Sequence, residues 1–424
     1  MIVVALVGLA LLFAGVPVAF ALGLAGLVGV WIVDIPFAIV ATRLFTGVDS
    51  FVFLAVPFYI LAAEIMNQGG ITTRLIAIAS GATRWLRGGT AYANVGASVM
   101  FAGISGSAVA DAAALGRVFM EEMPKEGYTP PYAAAVTAAS SIIGPIIPPS
   151  GLAILIAAVS GLSVIDLFLA GVVPGLLLGA ACCTIIAVDA WRGRLPKPLA
   201  RSIGESPWRM AIEGLAVVTL PLIIIGGMLA GAYTATEGGG IAVAYAIFLA
   251  VVVFRRLDAK GLWRAFMSAA RISATIYLLV AAATILSYAL NLLGISGWVR
   301  GAAMLFEGQP IAFLFAIMVL MLVLGTFLDI GAAILIFIPL IMPAAYALGI
   351  DPLQMSMVVT LSLAIGLLTP PVGVVLFVMM RVGSIGMLPL LRALVPFLLA
   401  EVAAVMLLCL VPELSTWLPN LLNP

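Results

Sequence analysis

Gly144-Pro145-Ile146-Ile147-Pro148-Pro149-Ser150-Gly151 interrupts a long apolar stretch of helical period at its centre. Proline has no backbone N–H to donate, and its ring clashes with the preceding turn. The consecutive Pro148 and Pro149 therefore force the helix to unwind. A near copy, Gly366-Leu367-Leu368-Thr369-Pro370-Pro371-Val372-Gly373, begins 222 residues after Gly144. Carbonyls left unpaired at bilayer depth are costly unless they line a cavity or bind something. Two such breaks, at matching places in two halves of a chain, point to the binding site of a secondary transporter.

The rest of the chain fits a membrane setting. It is 64% hydrophobic and 9% charged, with a mean hydropathy of +1.29. That excludes an ordinary soluble domain and indicates a polytopic helical membrane protein. A net charge of only +1 leaves no nucleic-acid footprint. The 424 residues include no histidine, which removes a Ser-His triad, an HExxH zinc site and a His proton relay together. Cys182, Cys183 and Cys409 sit in apolar runs without CxxC spacing and read as small buried hydrophobes. The N-terminus opens into an apolar span without a signal-peptide cleavage pattern, so a retained helix is expected.

Apolar runs of bilayer length fall at about 2–32, 51–66, 132–160, 165–188, 211–230, 233–254, 273–292, 353–380 and 386–411. Two other stretches, 94–123 and 311–347, carry a polar or small-residue knot at mid-length: Gly103-Ile104-Ser105-Gly106-Ser107 and Gly325-Thr326-Phe327-Leu328-Asp329. Each predicts a re-entrant hairpin with its tip inside the membrane. Segments 67–92, 189–213 and 254–271 are rich in Arg and Lys, which places them in the cytoplasm by the positive-inside rule. Counting spans from there puts the N-terminus in the cytoplasm and the C-terminus in the periplasm. The first hairpin then opens to the cytoplasm and the second to the periplasm.

At the single offset of 222, Gly103, Met120, Gly127, Pro130, Val136, Ser140, Ile143, Gly144, Pro148, Pro149 and Gly151 all meet identical residues. With opposite entry sides this makes an inverted repeat, an architecture of secondary transporters. The expected organisation is N-terminal scaffold helices with an amphipathic arm (1–92), a first transport repeat (93–188) and a central scaffold with an arm (189–310). A second transport repeat (311–385) and a C-terminal helix (386–424) follow. Residues 68–90 form the first arm, expected along the membrane surface.

Half-helix C-termini present partial negative charge suited to a cation such as Na⁺, and half-helix N-termini present free N–H groups suited to a carboxylate. The candidate sodium and substrate site is Ser105, Gly106, Ser107, Gly144, Pro145, Ser150, Gly325, Thr326, Asp329, Gly366 and Thr369. The structural breaks are Pro148, Pro149, Pro370 and Pro371. Na⁺ is assigned to Ser105, Ser107, Asp329 and Thr369, oxygen-bearing side chains of the kind hard cations need. Ser107 and Asp329 are equivalent under the repeat. Asp329 reads as an acid at hairpin-tip depth with no Lys or Arg between Arg300 and Arg381, so it needs a bound cation. Asp111 is open between a site role and helix capping. Glu237 reads as a helix cap. Asp166 and Glu401 read as interfacial.

Four segments resemble the large membrane subunit, DctM type, of tripartite ATP-independent periplasmic (TRAP) transporters. They are residues 47–62 (GVDSFVFLAVPFYILA), 105–116 (SGSAVADAAALG), 144–150 (GPIIPPS) and 368–373 (LTPPVG). The resemblance covers essentially the whole chain. It departs at Tyr233-Thr234-Ala235-Thr236-Glu237, where the family usually has Thr-Pro-Thr-Glu. It implies an elevator-type member of the ion transporter superfamily that imports organic acids with Na⁺ across a bacterial inner membrane. It also implies two partners, a small membrane Q subunit and a periplasmic substrate-binding P subunit. No cofactor is implied beyond the coupling ion, and no GxxxxGK[ST] nucleotide motif is present.

A Na⁺/dicarboxylate symporter working without a binding protein would be expected to show Ser-Asn-Thr at both tips, which this chain lacks. An intramembrane enzyme needs a nucleophile and base or a metal site, for which neither histidines nor paired acids exist here. An ion channel is more naturally built from rings of identical helices, and turnover per molecule separates the two.

Overall fold

The computed structural model describes residues 2–197 and 207–423. Among them the chain is helical throughout, with no strand. Among the described residues, six helices are long and apolar enough to cross a membrane. The N-terminal part is α1 (Ile2–Phe13), α2 (Val18–Ile32), α3 (Ala38–Val48), α4 (Ala55–Gln68) and α5 (Ile71–Thr83). The first repeat is α6 (Gly89–Ser105), α7 (Ala108–Lys125), α8 (Pro130–Ser141), α9 (Gly151–Ser160) and α10 (Val164–Trp191). A central part holds α11 (Pro207–Leu229), α12 (Ala235–Ile247), α13 (Ala259–Leu292) and α14 (Ile295–Met304). The second repeat is α15 (Pro310–Gly325), α16 (Ile330–Ala347), α17 (Pro352–Gly366), α18 (Val374–Gly383) and α19 (Met387–Leu410), followed by α20 (Glu413–Leu422).

The helix starts follow local chemistry. Pro130, Pro310 and Pro352 open α8, α15 and α17, where the missing N–H costs nothing. Ser107 and Asp329, equivalent under the repeat, both cap the second helix of their hairpin. Thr234 and Glu237 form a reciprocal capping box at α12, the structural role expected for Glu237.

Two bodies of helices pack against each other. In one, α13 lies on α2, α3 and α4, and α12 lies on α4. Segment 51–62 is tied into it by Tyr59 Oη donating to Ala235 O (3.1 Å), Thr236 Oγ1 to Phe51 O (3.1 Å) and Tyr277 Oη to Phe53 O (3.0 Å). In the other, the repeats interlock. Helix α9 packs on α16 of the opposite repeat, and α18 packs on α7. The equivalent helices α10 and α19 pack together. Contacts between the bodies run from α4 to α6 and α9, and from α13 and α14 to α16.

Two expectations are corrected. The single span at 2–32 is two helices, because Gly15 takes a left-handed φ of +80° and Pro17 follows, ending α1. These helices run antiparallel: a Cβ on Gly8 would meet Ala25 and one on Gly29 would meet Val4. Within 68–90, α5 buries Ile71, Leu75 and Ile76 and packs on α6 and α11. Glu401 is fully buried midway along α19, 3.6 Å from Cys182 Sγ, and is not interfacial. Asp166, by contrast, is part-exposed at the start of α10 and accepts from Asn423 Nδ2 at 2.5 Å.

Candidate functional site

The first hairpin turns at Gly106, whose φ of +61° is left-handed, and at Ser107, which is extended. Ser107 Oγ accepts from Ala110 N at 3.4 Å, and Ser105 Oγ accepts from Ser107 N at 3.2 Å. The Ser105 hydroxyl donates to Asp111 Oδ1. Asp111 is fully buried, and its Oδ2 has no hydrogen-bond partner among the described residues. That oxygen lies against Gly144, at the start of the first break, where a Cβ would collide with it. Asp111 therefore does not cap α7; Ser107 does, which frees the carboxylate to face the break. No Lys or Arg is buried among the described residues, so no protein cation neutralises it there.

The break itself is held by one side chain. Ser150 Oγ donates to Pro145 O at 2.5 Å while accepting from Ala153 N at 3.4 Å, so it closes the loop and caps α9. The Pro148–Pro149 peptide is cis, as is Pro370–Pro371. Gly103 sits where a Cβ would lie 3.3 Å from Pro148 O, and a Cβ on Gly106 would lie 3.7 Å from Gly151 N. A Cβ on Gly331, at the second tip, would lie 3.9 Å from Leu152. Both tips thus reach the first turn of α9.

The second repeat is built differently around the same glycines. Gly325 and Gly366 face each other, and a Cβ on Gly366 would come within 2.6 Å of Gly325 Cα. Thr326 Oγ1 donates to Val323 O (2.8 Å), and its carbonyl accepts from Gly373 N (3.3 Å). Thr369 Oγ1 donates to Ile365 O (3.1 Å). Asp329 is exposed, and its Oδ2 accepts from Gly331 N (2.9 Å) and Ala332 N (3.3 Å). Asp329 is not buried by the protein: two backbone N–H groups of the α16 cap satisfy its Oδ2, and the acid enclosed by the fold is Asp111. Position 333, the repeat equivalent of Asp111, is alanine.

The structure thus joins Ser105, Asp111 and Gly144 in one cluster, Pro145 and Ser150 in a second, and Gly325 with Gly366 and Thr326 with Gly373 in a third. Asp111 was the residue least resolved by sequence alone; its signal was a charge one turn past a Ser-Gly-Ser tip.

Paired hairpins and paired broken helices, with half-helix ends meeting inside an apolar helical body, define a transporter of the secondary type. The comparisons give the family. The model for the tripartite ATP-independent periplasmic transporter, DctM component, matches residues 4–414, and the chain belongs to that family. It is similar to the sialic acid TRAP transporter large permease protein SiaM of Vibrio cholerae, at 35% identity over 97% of each chain. It is 34% identical to the 2,3-diketo-L-gulonate TRAP transporter large permease protein YiaN of Escherichia coli, over 94% of each. In fold it resembles the Alcanivorax borkumensis YdaH transporter, with a TM-score of 0.66 at 15% identity, covering 92% of this chain and 89% of that one.

Proposed function

We propose that this chain is the large membrane subunit of a TRAP importer that brings small organic acids into a bacterial cell together with Na⁺. It sits in the inner membrane beside a small Q subunit and takes substrate from a periplasmic binding protein. The observation that carries the ion-coupled reading is the buried, unpartnered Asp111 Oδ2 facing the Gly144 break. A carboxylate in such a place calls for a counter-charge, and no protein cation is there. Ser105, Ser107 and Asp111 serve the first ion, and Asp329, Thr369 and the Thr326 region serve the second. The C-terminal ends of α6, α8, α15 and α17 add carbonyl dipoles favourable to cations.

The substrate carboxylate is assigned to the N-terminus of α9, which is capped by the neutral Ser150, whereas Asp111 in the first turn of α7 and Asp329 at α16 already place negative charge on those ends. The body holding both repeats (93–188 and 311–385) moves against the body formed by α1–α4, α12 and α13, which is an elevator motion. With α1 and α2 forming an antiparallel hairpin, and α4 ending at the basic 67–92 segment, the N-terminus lies in the periplasm.

The test is uptake by vesicles holding this chain, its Q subunit and the binding protein. An inward Na⁺ gradient drives accumulation without ATP. Equal uptake with K⁺ in place of external Na⁺ defeats the coupling, and uptake without the binding protein favours a symporter that works alone.

A further inference from the structure

Helices α6 and α8 meet along a seam of buried polar side chains. Asn94 and Ser98, one turn apart on α6, face Thr137 and Ser140 on α8, and all four are fully buried. Asn94 Nδ2 donates to Thr137 Oγ1 at 2.7 Å, and Ser98 Oγ donates to Ser140 Oγ at 2.7 Å. Thr137 Oγ1 donates its own hydrogen bond to Ala133 O at 2.9 Å, which leaves the oxygen's lone pairs free to accept. Hydroxyls in apolar helices commonly bond back to their own backbone; here Asn94 and Ser98 bond across to the neighbouring helix. Ser105, further along α6, reaches Asp111, which touches Gly144 beyond the end of α8. The contacts climb both helices in step.

The second repeat has no such seam. Under the offset of 222, Asn94, Ser98 and Thr137 become Ala316, Leu320 and Val359. Ser140 becomes Ser362, whose hydroxyl donates to Val358 O of its own helix at 2.6 Å. Helices α15 and α17 meet instead through the bare backbones of Gly325 and Gly366. The polar seam is therefore not a requirement of the hairpin-and-break unit.

We infer that Asn94, Ser98, Thr137 and Ser140 are positioning residues for the first ion site: they hold hairpin 1 in register so that Ser105 and Asp111 meet the Gly144 turn. This inference rests on the Na⁺-coupled reading above. Without the seam, α6 spends part of its time displaced along α8, with Asp111 away from the break. The apparent affinity for Na⁺ falls with the fraction of molecules in register. Saturating Na⁺ restores the register, so the maximal rate stays. A merely structural role would lower the amount of folded protein and the maximal rate and leave the Na⁺ half-saturation alone.

The experiment is a Na⁺ titration of uptake in vesicles holding the chain with its Q subunit and binding protein. The double variant Asn94→Ala/Thr137→Val copies the second repeat. An interhelical hydrogen bond in a membrane is worth about a threefold change in an equilibrium. Asn94→Ala/Thr137→Val is expected to raise the half-saturation about threefold, and adding Ser98→Ala about tenfold, with the maximal rate held. The exchange Asn94→Thr/Thr137→Asn, which rebuilds the bond in reverse, returns the half-saturation to the wild-type value. Ser98→Ala alone removes one hydroxyl without changing shape and serves if the double variant fails to fold. An unchanged half-saturation in the folded variants, or a lost maximal rate at an unchanged half-saturation, overturns the inference while leaving the Na⁺ reading intact. Absence of Na⁺ dependence in the wild type defeats that reading and this inference with it.

Discussion

Asp111 Oδ2 occupies the space that a side chain at position 144 would need, so the acid of hairpin 1 and the glycine of the first break are one fitted pair. Gly144→Ala puts a methyl group against a fully buried carboxylate. Overpacking of this kind costs about 1–3 kcal/mol. The expected outcome is a lower melting temperature and lost transport, measured on the purified protein and in vesicles. The double variant Gly144→Ala/Asp111→Ala recovers the melting temperature and not the Na⁺ dependence. No recovery would mean the clash lies elsewhere.

Asp111→Asn separates charge from shape. A unit charge 4 Å from a cation, at an effective dielectric of about 20, is worth roughly 4 kcal/mol. Transport is therefore expected to need at least about a hundredfold more Na⁺. The melting temperature without Na⁺ does not fall, because a neutral amide is less costly to bury than an unpaired carboxylate. Wild-type Na⁺ dependence in this variant would remove Asp111 from the ion site.

Asp329 is a milder case because it is exposed. In water the same charge pair is worth about 1 kcal/mol, or roughly fivefold in Na⁺ half-saturation. Asp329→Asn keeps an acceptor for Gly331 N and Ala332 N and is expected to show that shift alone. Asp329→Ala also loses the cap, at about 1 kcal/mol, and melts earlier. Equal melting temperatures for the two variants would show that the cap contributes nothing.

Sidedness is open to labelling in a background without Cys182, Cys183 and Cys409. Cysteines at Lys125 and Gly349, at the outer ends of the two hairpins, are expected to react from opposite faces of the membrane, and one at Ile2 from the same face as Gly349. Reaction of Lys125 and Gly349 from one side would end the inverted arrangement.

Much of this molecule was legible from punctuation. Gly/Pro clusters at 144–151 and 366–373 announce the breaks, because no helix continues through consecutive prolines. Ser-Gly-Ser at 105–107 announces a turn inside an apolar run. Legibility failed where the decisive term is tertiary. Gly15 and Pro17 divide α1 from α2, yet the surrounding apolar run reads as one span. The pattern of residues around Asp329 and Asp111 does not say which acid the fold encloses; hairpin packing decides that. Glu401 looked terminal by position and is buried because α10 covers it. Asn94 and Ser98 show helical spacing, but their partners lie about 42 residues away on another helix.

The exchange of partners between the repeats, α9 on α16 and α18 on α7, makes the two halves one folding unit. Helices α6–α10 alone would leave two faces that their own members do not fill. Neither repeat is therefore expected to be stable when expressed by itself, although one half carries a buried acid and hydrogen-bonded rungs and the other a pair of bare glycines.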